Sequence, residues 1–154
     1  MSEPLPMIGW REWVALPDLN VPKLKVKIDT GARTSSLHAV HFEKYRRRGR
    51  DFARFLLHPE QRSTALAIEA TAPILEFRHV TSSTGHRELR PVIENRVSLL
   101  GQEWPIEVTL ASRDLMGFRM LLGRQALVHR FTVDPSRSFL AKKRKSSAEK
   151  GRLR

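Results

Sequence analysis

The sequence predicts an all-β domain, a small closed barrel with little helix. Apolar and polar residues alternate over short stretches, most clearly where Leu24, Val26 and Ile28 flank Lys25 and Lys27. That period of two belongs to a strand with one wet face. Turn formers such as Pro17-Asp18, Gly85, Gly101 and Pro135 recur between these stretches, and only brief segments read as helical. Many short strands separated by turns argue for a barrel or sandwich.

At 154 residues, 40% hydrophobic and 29% charged, the chain has the size and composition of one globular domain with a substantial core. It has no Cys, which excludes disulfides, thiolate metal sites and a cysteine nucleophile. No apolar run reaches membrane-spanning length. Met1-Ser2-Glu3-Pro4 lacks the basic start of a signal peptide, so a cytoplasmic location is expected. The formal net charge is +12. From Ala141 to Arg154, seven basic residues face only Glu149, so half of the excess lies in this short stretch. The expected division is a domain over 1–140 and a basic, disordered tail over 141–154. The tail either binds nucleic acid or another polyanion, or serves solubility alone.

Ile8-Gly9-Trp10 and Glu12–Leu16 read as a first strand or hairpin, ended by the turn-rich run Pro17–Pro22. The alternating strand through Ile28 then enters Asp29-Thr30-Gly31-Ala32. Tyr45–Asp51 reads as a charged loop, and Phe52–Leu57 as a short helical turn or surface excursion. Ile74–Val80 and Glu88–Ile93 flank Ser82–His86, a hairpin with a Gly-containing tip. Arg96–Leu100 and Trp104–Leu110 are strands around a Gly101-Gln102-Glu103 turn. Pro105 is tolerable near a strand start. Met120–Arg124 is a buried strand ending in Gly, and Gln125–Val128 a single helical turn. Phe131–Asp134 and Ser138–Leu140 close the body around Pro135.

The chemistry centres on Asp29. A carboxylate just past a strand end, on a tight loop, is suited to the floor of a cleft. Gly31 opens backbone conformations denied to other residues and leaves room for a second chain. The Thr30 hydroxyl can fix the loop, and Ala32 is small enough to pack beneath it. A plain strand-ending turn is the alternative, because Asp and Gly are common turn residues.

Met120-Leu121-Leu122-Gly123-Arg124 adds a second element. It resembles the segment of retropepsin-like aspartic proteases that ends hydrophobic-hydrophobic-Gly and passes beneath the Asp loop. The order of elements from Ile8 to Leu140 resembles that family as well. The run Ile28–Ala39, with Arg90-Pro91-Val92-Ile93, Leu121–Arg124 and Phe131–Ser138, is similar to a bacterial retropepsin-like group labelled ATP-dependent zinc proteases. The resemblance implies an acid-protease-type barrel and an aspartic peptidase. It also implies an association with ligases that add glutamate to proteins, and trimming of glutamate-rich tails. Asp29, Thr30 and Gly31 would form the catalytic loop, with Leu122, Gly123 and Arg124 supporting it. Ala32, Arg33 and Thr34 would bind substrate.

Two carboxylates must share one proton in such a site, and the sequence has one Asp-Thr-Gly. The loops at Asp114 and Asp134 lack Thr-Gly. A symmetric homodimer with one Asp29 per chain is therefore expected. Arg33 replaces the acidic residue usual in viral members, and points either to an acidic peptide substrate or to an internal salt bridge. Arg124 is expected to brace the loop, and Ser82–His86 to act as a flap or remain an exposed turn. His38 and His41 stand three apart, the other four His are scattered, and there is no His-Glu-x-x-His. No zinc is expected from this pattern, nor ATP in the absence of a phosphate-binding loop. No cofactor is expected. Ser35, Ser36, Ser82 and Ser83 lack a nucleophile-elbow context. A reading from another class is a non-catalytic dimeric module whose tail and Arg46-Arg47-Arg48 bind RNA or ribosomal surfaces.

Overall fold

The computed structural model describes residues 4–81, 84–112, 115 and 117–141. The chain is mostly strand, arranged as a ring. β2 (Arg11–Leu16) pairs antiparallel with β3 (Val21–Asp29), after a 3-10 turn at Pro17–Leu19. β3 does not pair with its successor β4 (Ser35–His38). Instead β10 (Met120–Gly123) inserts between them, parallel to β3 and antiparallel to β4. β4 then runs parallel to β9 (Gln102–Ala111), which pairs antiparallel with β8 (Arg87–Leu99). An Ala15–Ser98 bridge between β2 and β8 closes the ring.

β5 (Val40–Arg47), β6 (Arg50–Leu57) and the first half of β7 (Ile68–Thr81) form a three-stranded extension. The second half of β7 pairs with β8 as a long hairpin. β1 (Met7–Gly9) pairs in parallel with β11 (Thr132–Asp134). The only named α-helix among the described residues is α1 (Arg124–Leu127). None is long and apolar enough to cross a membrane.

Alternation fills the core as the sequence predicts. Leu24, Val26 and Ile28 of β3 and Trp104, Ile106, Val108 and Leu110 of β9 point inward, with Met120 and Leu122 of β10. Ala53, Phe55, Leu57, Ala70 and Ala72 bring the extension into the same cluster. Removing this much apolar side-chain surface from water, at about 25 cal/mol per Å², is the main force holding the ring closed.

Four expectations fail. Tyr45–Asp51 is not a loop and Phe52–Leu57 is not helical: together they are the β5–β6 hairpin. Arg48 (φ 54°) and Gly49 (φ 75°) form its two-residue turn, whose left-handed backbone matches strand twist. The alternation is hidden because Phe52, on the outer face, stacks on Tyr45 at 5.7 Å. Likewise Leu100 (φ 52°) and Gly101 (φ 76°) make the β8–β9 turn, so Gln102 and Glu103 already belong to a strand. Ser138 and Phe139 are irregular rather than strand. Of the expected tail, Ala141 is buried against the core, and 142–154 lie outside the described residues.

Candidate functional site

β3 ends at Asp29 because the chain folds onto its own side chain. The Gly31 and Ala32 N–H groups donate to Asp29 Oδ1 (3.1 and 3.2 Å), and the Ala32 N–H also lies 3.2 Å from the Asp29 carbonyl oxygen. This is an Asx-type turn, so the plain turn and the displayed carboxylate are the same object. Oδ1 is committed to the turn, whereas Oδ2 has no hydrogen bond to the described residues. Asp29 is half-buried, and Thr30 and Gly31 are exposed. A Cβ on Gly31 would meet only Asp29 Oδ1, at 3.4 Å, so the space above the loop is open. The Thr30 hydroxyl makes no hydrogen bond to the described residues, contrary to its expected role in fixing the loop.

β10 and α1 do the fixing. Gly123 stands beside Asp29 in the parallel register. A Cβ there would lie 2.6 Å from the Thr34 carbonyl carbon and 2.7 Å from its oxygen. Only glycine lets the two segments come this close. Its N–H donates to Ser35 Oγ (3.0 Å). The next residues capture the loop's carbonyls: Arg124 N–H to Ala32 (2.7 Å), Gln125 N–H to Arg33 (3.1 Å), and Arg124 Nη1 to Thr30 (3.1 Å). Leu122 is fully buried beneath, in register with Ile28.

Arg33 is exposed, and the internal salt bridge weighed for it is not made among the described residues. Ala32 and Thr34 are half-buried. A cavity of about 540 Å³ opens beside the loop, lined by Thr34, Ser35, Glu94, Glu107, Gln125 and Arg130 among others; Asp29 is not part of it. Ser35 went unrecognised as a support residue. It is buried, accepts from Gly123, and its carbonyl accepts from Thr109 Oγ1 (3.4 Å). Its only sequence signal was a Ser-Ser pair at the start of β4.

The β7–β8 hairpin tip carries Gly85 at φ 83° and exposed Thr84 and His86; Ser82 and Ser83 lie outside the described residues. Arg90, near its base, is buried and pairs with Glu88 at 2.6 Å. Asp134 is only a turn carboxylate, held below its ordinary value by hydrogen bonds from Ser136, chiefly that of the side chain; Asp114 lies outside the described residues. Among the described residues, no three His, Asp or Glu side chains gather as a metal-holding group. His38 Nδ1 instead lies 3.3 Å from Arg119 Nη1.

The RimB-like family, described as retropepsin-like aspartic endopeptidase RimB, matches residues 7–144. A protein of Shewanella pealeana named "Probable alpha-L-glutamate ligase" is 44% identical over 139 residues, covering 90% of this chain and 30% of that protein. One of the same name from Parasynechococcus marenigrum is 43% identical over 132 residues, covering 86% and 28%. The chain thus spans under a third of the length of these curated relatives. A crystal structure of a Legionella pneumophila protein of unknown function superposes with a TM-score of 0.72 at 27% identity, covering 88% of this chain and 98% of that one.

Proposed function

The chain belongs to the RimB-like family of retropepsin-like aspartic endopeptidases, and from that premise we propose that it is an aspartic peptidase working as a twofold dimer with one Asp29 from each chain. The observation that carries this reading is the Asp29 turn itself: one oxygen tied to backbone N–H groups, the other unbonded to the described residues, under an open and exposed Thr30-Gly31 surface. Two such loops meeting across an axis would bring two carboxylates together. Like charges at that range cannot both ionise easily, so the pair would hold one proton and titrate as a unit. The ionised member takes a proton from water as its oxygen attacks the amide carbon. The protonated member donates to the carbonyl oxygen. Collapse of the tetrahedral intermediate expels the amine, which leaves with a proton from the pair. The β7–β8 tip would close over this cleft as a flap.

An acidic peptide is the proposed substrate. Arg33, exposed beside the catalytic loop with no ion pair among the described residues, can grip a carboxylate by two parallel bonds. The longer relatives named for glutamate ligation support a setting in which glutamate is added to proteins and this domain removes it. Hydrolysis of glutamate-rich peptides, with products identified by mass, tests the reading. Arg33→Ala should weaken cleavage of acidic peptides more than neutral ones. A monomer under active conditions, or an Asp29→Asn variant with full activity, would remove the mechanism.

One observation favours a second reading. Lys44, Arg47, Arg48 and Arg50 on the exposed β5–β6 hairpin make no ion pair among the described residues, as a non-catalytic module binding RNA would need. Salt-dependent RNA binding indifferent to Asp29→Asn would support it.

A further inference from the structure

β3 presents two faces. Leu24, Val26 and Ile28 enter the core; Lys23, Lys25, Lys27 and Asp29 share the other face. The three lysines therefore stand in a row that ends at Asp29, spaced about 6.6 Å apart by strand geometry. Arg11 of β2 lies directly across from Lys27, and Trp13 across from Lys25. Glu12, between them in sequence, faces inward and is fully buried.

Aromatic rings hold Lys23, Lys25 and Arg11. Lys23 Nζ lies 4.3 Å and Lys25 Nζ 5.4 Å from the Trp13 ring centre. The Arg11 guanidinium lies 4.7 Å from Trp10 and 4.9 Å from Phe139. Such contacts hold a cation in place without neutralising it. None of the ion pairs among the described residues involves Arg11, Lys23 or Lys25, and Arg11 Nε is buried without a hydrogen-bond partner.

We propose that Lys23, Lys25, Lys27 and Arg11 form an anion track that leads to Asp29 and seats successive same-side carboxylates of an extended acidic peptide. An extended glutamate chain repeats its same-side carboxylates at the lysine spacing, about 6.6 Å. The track ends at the proposed reacting carboxylate, so a chain bound along it is delivered to the cleft. This rests on the acidic-peptide reading above, and extends recognition from Arg33 to a distal surface. The track itself needs no catalysis.

The test is therefore binding. Fluorescein-labelled decaglutamate is titrated by anisotropy at low salt against the full chain, Lys23→Gln/Lys25→Gln, and Arg47→Gln/Arg50→Gln. The last pair removes the same charge from the distant hairpin. The expected result is a Kd raised at least about fivefold in the first variant and unchanged in the second, with melting curves showing both folded. Should the double variant fail to fold, Lys23→Gln alone, at the most exposed of the four, should raise Kd about twofold. Equal losses in both variants would overturn the track as a mere net-charge effect. So would tighter binding of single-stranded oligouridylate that is lost only in the lysine variant, since the surface would then belong to nucleic acid. Glutamate binding that follows the track while Asp29→Asn loses no activity would retain the track and reject the peptidase reading.

Discussion

Glu12 and Asp29 are both carboxylates that accept backbone N–H groups, each close in sequence or space to a glycine jammed against a second segment. Glu12 is fully buried and takes three donors: Gly9 (2.7 Å) and Leu140 (2.9 Å) on Oε2, Ala141 (3.2 Å) on Oε1. It ties the start of the chain to the end of the described body. Nearby Gly9 admits the Arg137–Ser138 backbone, where a Cβ would lie 2.7 Å from Ser138 Cα. Asp29 takes two donors on one oxygen only and stays half-exposed. A carboxylate with both oxygens saturated in the interior is a fastener. One with a single oxygen anchored is held in position and still free to react.

The largest expected effect breaks the comparison at Asp29. Asn keeps an oxygen that can accept from Gly31 and Ala32, so the turn should survive, but it cannot exchange the proton. Peptidase activity should fall by about 10³-fold or more with little change in melting temperature. A large loss of stability instead would move Asp29 into the class of Glu12.

At Glu12 the readout reverses. Glu12→Ala leaves three interior N–H groups without their acceptor, and hydrogen bonds to charged groups are worth about 1.5–3 kcal/mol each. Partial relaxation should bring the loss to roughly 3–5 kcal/mol, within the range for breaking a buried charged network. Urea unfolding measures it. A loss below about 1 kcal/mol would mean that the fastening is made elsewhere.

The two glycines sharpen the contrast. Alanine at either overpacks a closed contact, at a cost of about 1–3 kcal/mol. Gly123→Ala should also cut activity, because the atom it meets belongs to Thr34 in the Asp29 loop. Gly9→Ala should lower stability with kcat per folded molecule retained. Neither glycine sits at positive φ, so the penalty is space rather than backbone strain.

These two corners were unequally legible in the sequence. The Asp29 turn was readable because its determinants are local: strand, Asp, Thr, Gly and Ala are contiguous, and Gly123 is flagged by the apolar run before it. Glu12 was not, because its partners lie 128 and 129 residues away and an isolated Glu between two aromatic-rich stretches reads as a wet strand position. The ring was legible from alternation wherever one face is polar, as in β3 and β9. It was illegible at β5–β6, where Phe52 and Tyr45 cover the outer face and Arg48 adopts a left-handed turn that arginine seldom signals. The insertion of β10 between β3 and β4 is a long-range pairing that no local pattern encodes.

The smallest effect tests whether a carboxylate tie at the surface behaves like either corner. Asp18 accepts from the Arg96 backbone N–H (2.9 Å) and guanidinium (2.7 and 3.0 Å), and both residues are well exposed. The Arg96 side-chain hydrogen bond is the main cause holding the Asp18 carboxyl below its ordinary 3.8. A depressed carboxylate adds stability above its unfolded value and loses it as pH falls through the folded value. Asp18→Asn should therefore lower the melting temperature slightly at pH 7, and the difference from the parent chain should shrink progressively as pH falls below 3.8. Exposure and salt screening keep such a pair weak, so the gap at pH 7 should also shrink in 0.5 M salt. A gap that persists in acid would mean that Asp18 acts through packing or its turn rather than through charge.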